Sequence, residues 1–302
     1  MNLDAVKSEL LKIFDNNHIL FNEPMKNHTS FKVGGPADIL VIPENKEQLV
    51  YVIKTCNSFE VPFMIIGNGS NLIVRDGGIR GIVIKTSYLN KVWSDGERII
   101  AESGATLAKA SMEALRNSLK GMEFASGIPG SVGGAIFMNA GAYGGEIKDI
   151  VERVSVVNYE GNEKVLINSE LEFVYRSSII QKENYIVLEV VFKLSRGNYN
   201  EIKALMDDLN KRRFDKQPLN FPSAGSVFKR PEGYFAGKLI EDAGLKGARI
   251  GGAMVSEKHA GFIINYDNAT AEDVIILIKK VQDTVYEKFG VKLETEVKII
   301  GE

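Results

Sequence analysis

The run ASGIPGSVGGAIFMNAGAYGGE, residues 125–146, decides how the chain has to be read, because glycine stands at 127, 130, 133, 134, 141, 144 and 145. So dense a run is poor material for a regular element, since each interior glycine costs roughly 0.5–1 kcal/mol relative to alanine. Ile128-Pro129 stiffens its start, and Gly130, Gly133 and Gly134 let the backbone lie flat against something bulky and planar. A shorter cluster, IIGNGSN at 65–71, follows an apolar strand pattern. It is not the dinucleotide fingerprint: after Gly67-x-Gly69 the third glycine position holds Leu72, and LIVRDGG does not open a helix. Such loops instead present successive backbone N–H groups as a nest for phosphate oxygens. Two of them suit a pyrophosphate, and a flavin with its diphosphate fits that description; a stack of tight β-turns would use the same glycines.

Outward from these clusters, short β-like runs occupy 39–43, 62–67, 81–86, 98–103, 153–159 and 185–194, with helical patterns at about 46–58 and 106–119. Asp95-Gly96 and Glu160-Gly161-Asn162 mark hairpins. MNLDAVKSELLKIFDNN, at the N-terminus, has amphipathic spacing and an acidic residue at position 4, which predicts a surface helix rather than a signal peptide. From about 198 the texture changes to a polar helix ending at Pro218, which leads into SAGSVFKRP, 223–231. A short helix (235–243), strands GAMVS and GFIIN, a long amphipathic helix (about 270–289) and a last strand LETEVKII complete an α+β pattern. The change of texture predicts domains 1–197 and 198–302.

With 302 residues, 44% of them hydrophobic, the chain buries a sizeable core. Thirty-seven basic against 39 acidic residues leave a net charge of −2 and no dense cationic face, so no nucleic-acid partner is expected. No apolar run reaches the ~18 residues of a membrane span, and a cytoplasmic protein is expected. Cys56 lies in a helical pattern and reads as a buried structural thiol. The histidines, at 18, 28 and 259, lack metal-ligand spacing, so no metal is expected.

Six motifs in order, HTSFKVGGPAD (28–38), IGNGSN (66–71), GIPGSVGGAIFMNAGAYGGE (127–146), YRSS (175–178), AGSVFKRP (224–231) and LETEV (293–297), resemble the bacterial UDP-N-acetylenolpyruvoylglucosamine reductases nearly end to end. The resemblance implies a two-lobed FAD-binding unit of the vanillyl-alcohol-oxidase (PCMH) type, with lobes at about 1–86 and 87–197, plus a C-terminal substrate-binding domain. It also implies a monomer that uses noncovalent FAD and NADPH, in turn through one cleft, to reduce the enolpyruvyl ether of UDP-N-acetylglucosamine to UDP-N-acetylmuramate for peptidoglycan. Ile66, Gly67, Asn68, Gly69, Ser70, Asn71, Gly127, Ile128, Pro129, Gly130, Ser131, Gly133, Gly134, Asn139 and Gly141 fall where the family holds FAD. Ser226 matches the proton donor, Arg176 the arginine on the substrate carboxylate, and Glu296 the second acid. Tyr175, Lys216, Gln217, Lys229, Arg230, Lys246, His259 and Lys298 fall at sugar-nucleotide contacts. The chain departs from the family at Arg230, where many members have asparagine, and near Ile180, where many have phenylalanine. Arg176 and Ser226 are 50 residues apart, too close for the inserted tyrosine loop of one subclass, so the chain resembles the shorter one.

The implied chemistry explains these residue types. Hydride addition to the terminal methylene leaves charge spread into the neighbouring carboxylate, which a bidentate arginine stabilises more as it develops. Beside that carboxylate Glu296 is expected protonated and donating, while Ser226 protonates the strongly basic carbon and Lys229 steadies the alkoxide left behind. Taken singly, Arg176 reads as a surface ion pair, Glu296 as a solvent-facing strand residue and His259 as a hydrogen-bonded structural histidine. Two other functions fit part of the pattern: a sugar or alcohol oxidase on the same flavin fold, and a nucleotide-sugar-binding protein without catalysis. The absence of histidine from both glycine clusters favours untethered FAD.

Overall fold

The computed structural model describes residues 3–302. Met1 and Asn2, the start of the expected N-terminal helix, lie outside the described residues; the helix runs Leu3–Leu10 and buries Val6 and Leu10. Two compact units make up the chain: Met1–Phe21, Ile39–Asn68 and Gly81–Arg212 in the first, Asn22–Asp38, Gly69–Arg80 and Arg213–Glu302 in the second. The cut expected near 197 is therefore displaced. The polar helix Tyr199–Lys216 begins in the first unit, where Ile202 and Met206 pack on Leu115, and two early segments belong to the second unit although no linker composition marks them.

Two apolar cores form in the first unit. The helix Lys46–Ser58 starts at Asn45, whose side chain accepts the Gln48 amide, and buries Leu49, Val52, Ile53 and Cys56 against Val6, Leu10, Ile39, Val41, Ile82 and Ile84. The last four come from the inner strands of a sheet ordered Ile19–Pro24, Pro36–Val41, Ile79–Lys85, Phe63–Ile66, with the final pair parallel. Cys56 is fully buried there, and burial pushes its thiol up to about 12, as a structural cysteine requires.

Around the second core runs an antiparallel sheet ordered Glu163–Ile167, Val151–Val157, Ile186–Lys193, Arg98–Glu102, Val92–Asp95. Its hairpins close where Asp-Gly and Glu-Gly-Asn predict, pairing Asp95 with Arg98 and Val157 with Glu163. Helix Leu107–Arg116, capped by Thr106, packs Leu107, Ala110 and Ala114 into this core. So does an element the glycine count argues against: Val132–Met138 is a helix. Ser131 Oγ accepts the Gly134 amide at 3.3 Å, Val132, Ala135 and Ile136 are buried, and Gly133 lies so close to Ser103 that a Cβ would sit 3.0 Å from its side chain. Burial and capping outweigh the unfavourable intrinsic propensity of two glycines.

In the second unit the helix Ala271–Phe289 buries Val274, Leu277, Ile278, Val281 and Val285 against Phe31, Val33, Ile73, Val227 and Phe228. Strands Arg249–Ile250, Ala253–Val255 and Ile263–Asn265 form an antiparallel sheet in the same unit. The expected strand over 293–300 is regular only at Lys298–Ile300, which pairs in parallel with Leu72–Val74. Ahead of it the chain alternates as expected, with Leu293 and Val297 buried and Glu294 exposed, but it bonds the 227–229 segment residue by residue: Lys229 N to Glu294 O at 2.8 Å and Glu296 N to Val227 O at 2.8 Å.

Among the described residues no helix is long and apolar enough to cross a membrane, and no three His, Cys, Asp or Glu side chains are placed to hold a metal.

The first turn of Ala271–Phe289 is satisfied from a distant part of the sequence. Asp76 Oδ1 accepts the Ala271 amide and Oδ2 the Glu272 amide, each at 2.9 Å, while Thr270 Oγ1 accepts that of Asp273 at 3.0 Å. Asp76→Ala is expected to cost about 1–2 kcal/mol, read as a fall of a few degrees in the melting temperature, with Asp76→Asn recovering part of it. An unchanged melting temperature in Asp76→Ala would show that water replaces the carboxylate without loss.

Candidate functional site

The two glycine segments meet within the first unit. Strand Phe63–Ile66 delivers Gly67, whose missing Cβ would sit 2.1 Å from Ser131 Oγ, and Ser131 caps the glycine helix. Their backbone donors, however, are used differently. In the second segment the amides of Ile128, Gly130, Val132 and Gly133 bond to Ala125, Ile128, Ala105 and Ser103 carbonyls at 3.1, 2.9, 2.8 and 2.8 Å, and Gly134 bonds to Ser131 Oγ. Gly141 pairs with Glu146, close enough that a Cβ would meet Gly145 O at 2.8 Å. In the loop 67–70, by contrast, no amide donates to a protein acceptor among the described residues. Of the two loops expected to suit a pyrophosphate, the first offers donors, and the second spends most of its own on shaping the fold. Four successive unspent amides at a strand end, with no Cβ at 67 or 69, fit a diphosphate such as that of FAD. Ile66 is buried, its carbonyl accepting the Thr86 amide at 3.0 Å. Gly127, Ile128 and Gly130 are half-buried and Pro129 is exposed.

Also in the first unit, Tyr175 and Arg176 form the tip of a tight turn closed by Val174 N to Ser177 O at 3.1 Å and Ser177 N to Val174 O at 3.2 Å. Arg176 has φ +55°, a left-handed value uncommon outside glycine, and its guanidinium stands 5.0 Å from the Tyr175 ring centroid. Asn139 does not reach outward: it is 1% exposed, and Nδ2 donates to Glu146 Oε2 at 3.0 Å and to Val174 O at 3.1 Å. Gln181 Nε2 bonds Arg176 O at 3.1 Å from the other side. Glu146 and Gln181 hold this turn, and nothing in their spacing along the chain flags either.

Within the second unit the fold brings Ser226 and Glu296 onto adjoining lengths of backbone. Ser226 bridges to Phe262, Val227 N donates to Gly261 O at 2.9 Å, and Val227 O receives the Glu296 amide. Among the described residues the Ser226 hydroxyl makes no hydrogen bond. Asn71 Nδ2 donates to Glu296 O at 3.1 Å and Asn71 O accepts Lys298 N at 3.0 Å, so this residue, expected at the cofactor, also sets the backbone that bears Glu296. Lys229, expected to steady the serine alkoxide, pairs instead with Glu294 at 3.1 Å on the surface, a contact worth ~0–1 kcal/mol that competes weakly. Arg230 stands over Phe235 at 4.0 Å. Lys246 is paired with Glu241 at 2.8 Å, whereas Lys216 ends its helix exposed, Gln217 is half-buried and Lys298 is exposed. His259 Nδ1 accepts the Gly261 amide at 3.1 Å, so the neutral ring carries its proton on Nε2. Burial first, with the nearby Lys246 charge, holds this imidazole below its ordinary range, and His259 serves as a neutral donor near pH 7.

An unspent nest at the end of Phe63–Ile66, and a serine that makes no hydroxyl hydrogen bond among the described residues and adjoins a glutamate, fit a flavin-dependent oxidoreductase. Residues 37–166 match the FAD binding domain family, and residues 217–300 match the UDP-N-acetylenolpyruvoylglucosamine reductase C-terminal domain. The chain belongs to the UDP-N-acetylenolpyruvoylglucosamine reductase family. It is 57% identical to the reductase of Geobacillus thermodenitrificans over 99% of this chain and 98% of that one, and 59% identical to that of Clostridium botulinum over 96% and 95%. The crystal structure of the Thermus caldophilus UDP-N-acetylenolpyruvylglucosamine reductase superposes with a TM-score of 0.79 at 36% identity, covering 94% of this chain and 98% of that one.

Gly69 combines φ +61° with a Cβ position 2.2 Å from His28 O. Gly69→Val is expected to purify with a clearly lower flavin-to-protein absorbance ratio while keeping its far-ultraviolet dichroism. Full flavin content would remove the loop from the cofactor site. Gly130, which lacks a positive φ and already donates its amide, gives no such steric argument.

Proposed function

We propose that this protein reduces the enolpyruvyl ether of UDP-N-acetylglucosamine to UDP-N-acetylmuramate with NADPH, as the shorter subclass of its family, in the cytoplasm where peptidoglycan precursors are made. The loop 67–70 holds the FAD diphosphate through its backbone amides, with Ser131 and the glycine helix behind Gly67. FAD, when bound, supplies the hydride that reaches the terminal methylene of the substrate. Arg176, mounted on its strained turn, grips the substrate carboxylate with two parallel N–H bonds that strengthen as charge moves onto it. Ser226 Oγ gives its proton to the adjacent carbon, and Glu296, protonated, donates a hydrogen bond to the same developing charge. His259, neutral and protonated on Nε2, contributes a donor to the sugar nucleotide without adding charge.

The observation that carries this reading is the Val227 carbonyl receiving the Glu296 amide at 2.8 Å, which ties the glutamate's backbone to that of a serine whose hydroxyl has no partner among the described residues. A serine that merely shaped its loop would ordinarily bond to the backbone.

Two measurements test it. Denaturation is expected to release all flavin into the supernatant, because neither glycine segment carries a histidine or cysteine to tether it; colour retained on the polypeptide would argue for a covalent oxidase instead. Ser226→Ala is expected to bind FAD and accept hydride from NADPH at near wild-type rate, while reoxidation by the enolpyruvyl substrate slows about 10²–10⁴-fold, the usual contribution of a positioned acid. Rapid mixing reads the two half-reactions separately, and equal modest slowing of both would move the proton source elsewhere.

A further inference from the structure

The turn that bears Arg176 is held by a group outside the residues assigned above. Asn139, buried and left-handed at φ +42°, spends both Nδ2 protons, one on Glu146 Oε2 at 3.0 Å and one on Val174 O at 3.1 Å, and its Oδ1 accepts the Lys148 amide at 3.1 Å. Glu146 also takes Lys148 Nζ at 2.8 Å, and its side chain is 31% exposed. On the opposite flank Gln181 Nε2 bridges Arg176 O, at 3.1 Å, and Phe137 O, at 2.6 Å. Lys148 first, then Asn139 and the Arg176 guanidinium hold the Glu146 carboxyl below the usual carboxylate range, so it is a negative charge that acts on the arginine.

We propose that Glu146 is a positioning residue for Arg176: through Asn139 it fixes the turn, and its carboxylate orients the guanidinium for the substrate carboxylate. This rests on the reading of Arg176 as the residue that grips that carboxylate. A guanidinium ends a long side chain with several rotamers even where, as at Arg176, the residue is half-buried, and an ionised neighbour selects among them before substrate arrives.

The test uses the FAD-loaded enzyme as wild type, Glu146→Gln, Arg176→Lys and the double variant, with both half-reactions followed by rapid mixing. Glu146→Gln is expected to slow reoxidation by the enolpyruvyl sugar nucleotide about tenfold, to leave flavin reduction by NADPH within about twofold, and to melt with the wild type. Because Glu146 acts through Arg176, the double variant is expected to be no slower than Arg176→Lys alone. Equal slowing of both half-reactions, unchanged reoxidation, or additive effects in the double variant would each overturn the proposal. If Arg176→Lys itself reoxidises normally, the reading of Arg176 fails and the proposal falls with it; if only Glu146→Gln does, the proposal falls alone. Should Glu146→Gln fail to retain FAD, Glu146→Asp, which withdraws the charge by one methylene, is expected to slow reoxidation selectively and by less, and equal slowing of both steps would again overturn the idea.

Discussion

The parallel ladder of Leu72–Val74 with Lys298–Ile300 closes the chain on itself, and the second unit depends on it. Three residues of parallel pairing are weak by themselves, and closing so long a loop is opposed by chain entropy. The ladder persists because it is reinforced at both ends and beneath. Ile73 is fully buried in the apolar core, Asn71 clips Glu296 at one end, and Arg75 N bonds Ile300 O at the other, 2.9 Å away. Asp76, next along, caps the long C-terminal helix. Breaking any one of these contacts loosens the others, because all of them hold the short segment 69–80 in place.

That constraint reaches the chemistry. The glutamate sits just before the C-terminal strand, and the serine loop bonds to the residues leading into it, so the position of both follows from where the ladder sets the chain. The first unit positions Arg176 differently, by local strain. Arg176 and Asn139 both adopt left-handed backbone, each at a cost of ~1–3 kcal/mol that buried hydrogen bonds must offset. Asn139 and Gln181 supply them from either side. A turn stabilised in this way carries its side chain on a fixed backbone, the general advantage of preorganisation.

Much of this was legible in the residues. The strand runs, both hairpins, the helix at 46–58 and the α+β class follow from periodicity and turn chemistry, which are local properties. The buried state of Cys56 follows from its place on an apolar helix face. Motif order pointed to the family. Where local reasoning failed, a distant contact reversed a local preference. Val132–Met138 is helical because Ser131 caps it and the core takes Val132 and Ile136, despite two glycines. Leu293–Val297 keeps its alternation yet pairs irregularly, since its partner is a loop rather than a strand.

The sequence by itself determined which backbone segments are flexible enough to become nests and which side chains are chemically fit to act. Tertiary structure alone decided which nest keeps its donors. The amides of 128, 130, 132, 133 and 134 are consumed by carbonyls and a hydroxyl from 103, 105, 125, 128 and 131, while those of 67–70 donate to no protein acceptor among the described residues. It also decided that segments 22–38 and 69–80 join the C-terminal unit, that Asn71 bonds the backbone of Glu296 and that Asn139 bonds the turn bearing Arg176. The physical reason is common to these cases: a hydrogen-bonding group's role is set by which partner reaches it first, and partners far apart in the chain become neighbours only when the core is packed.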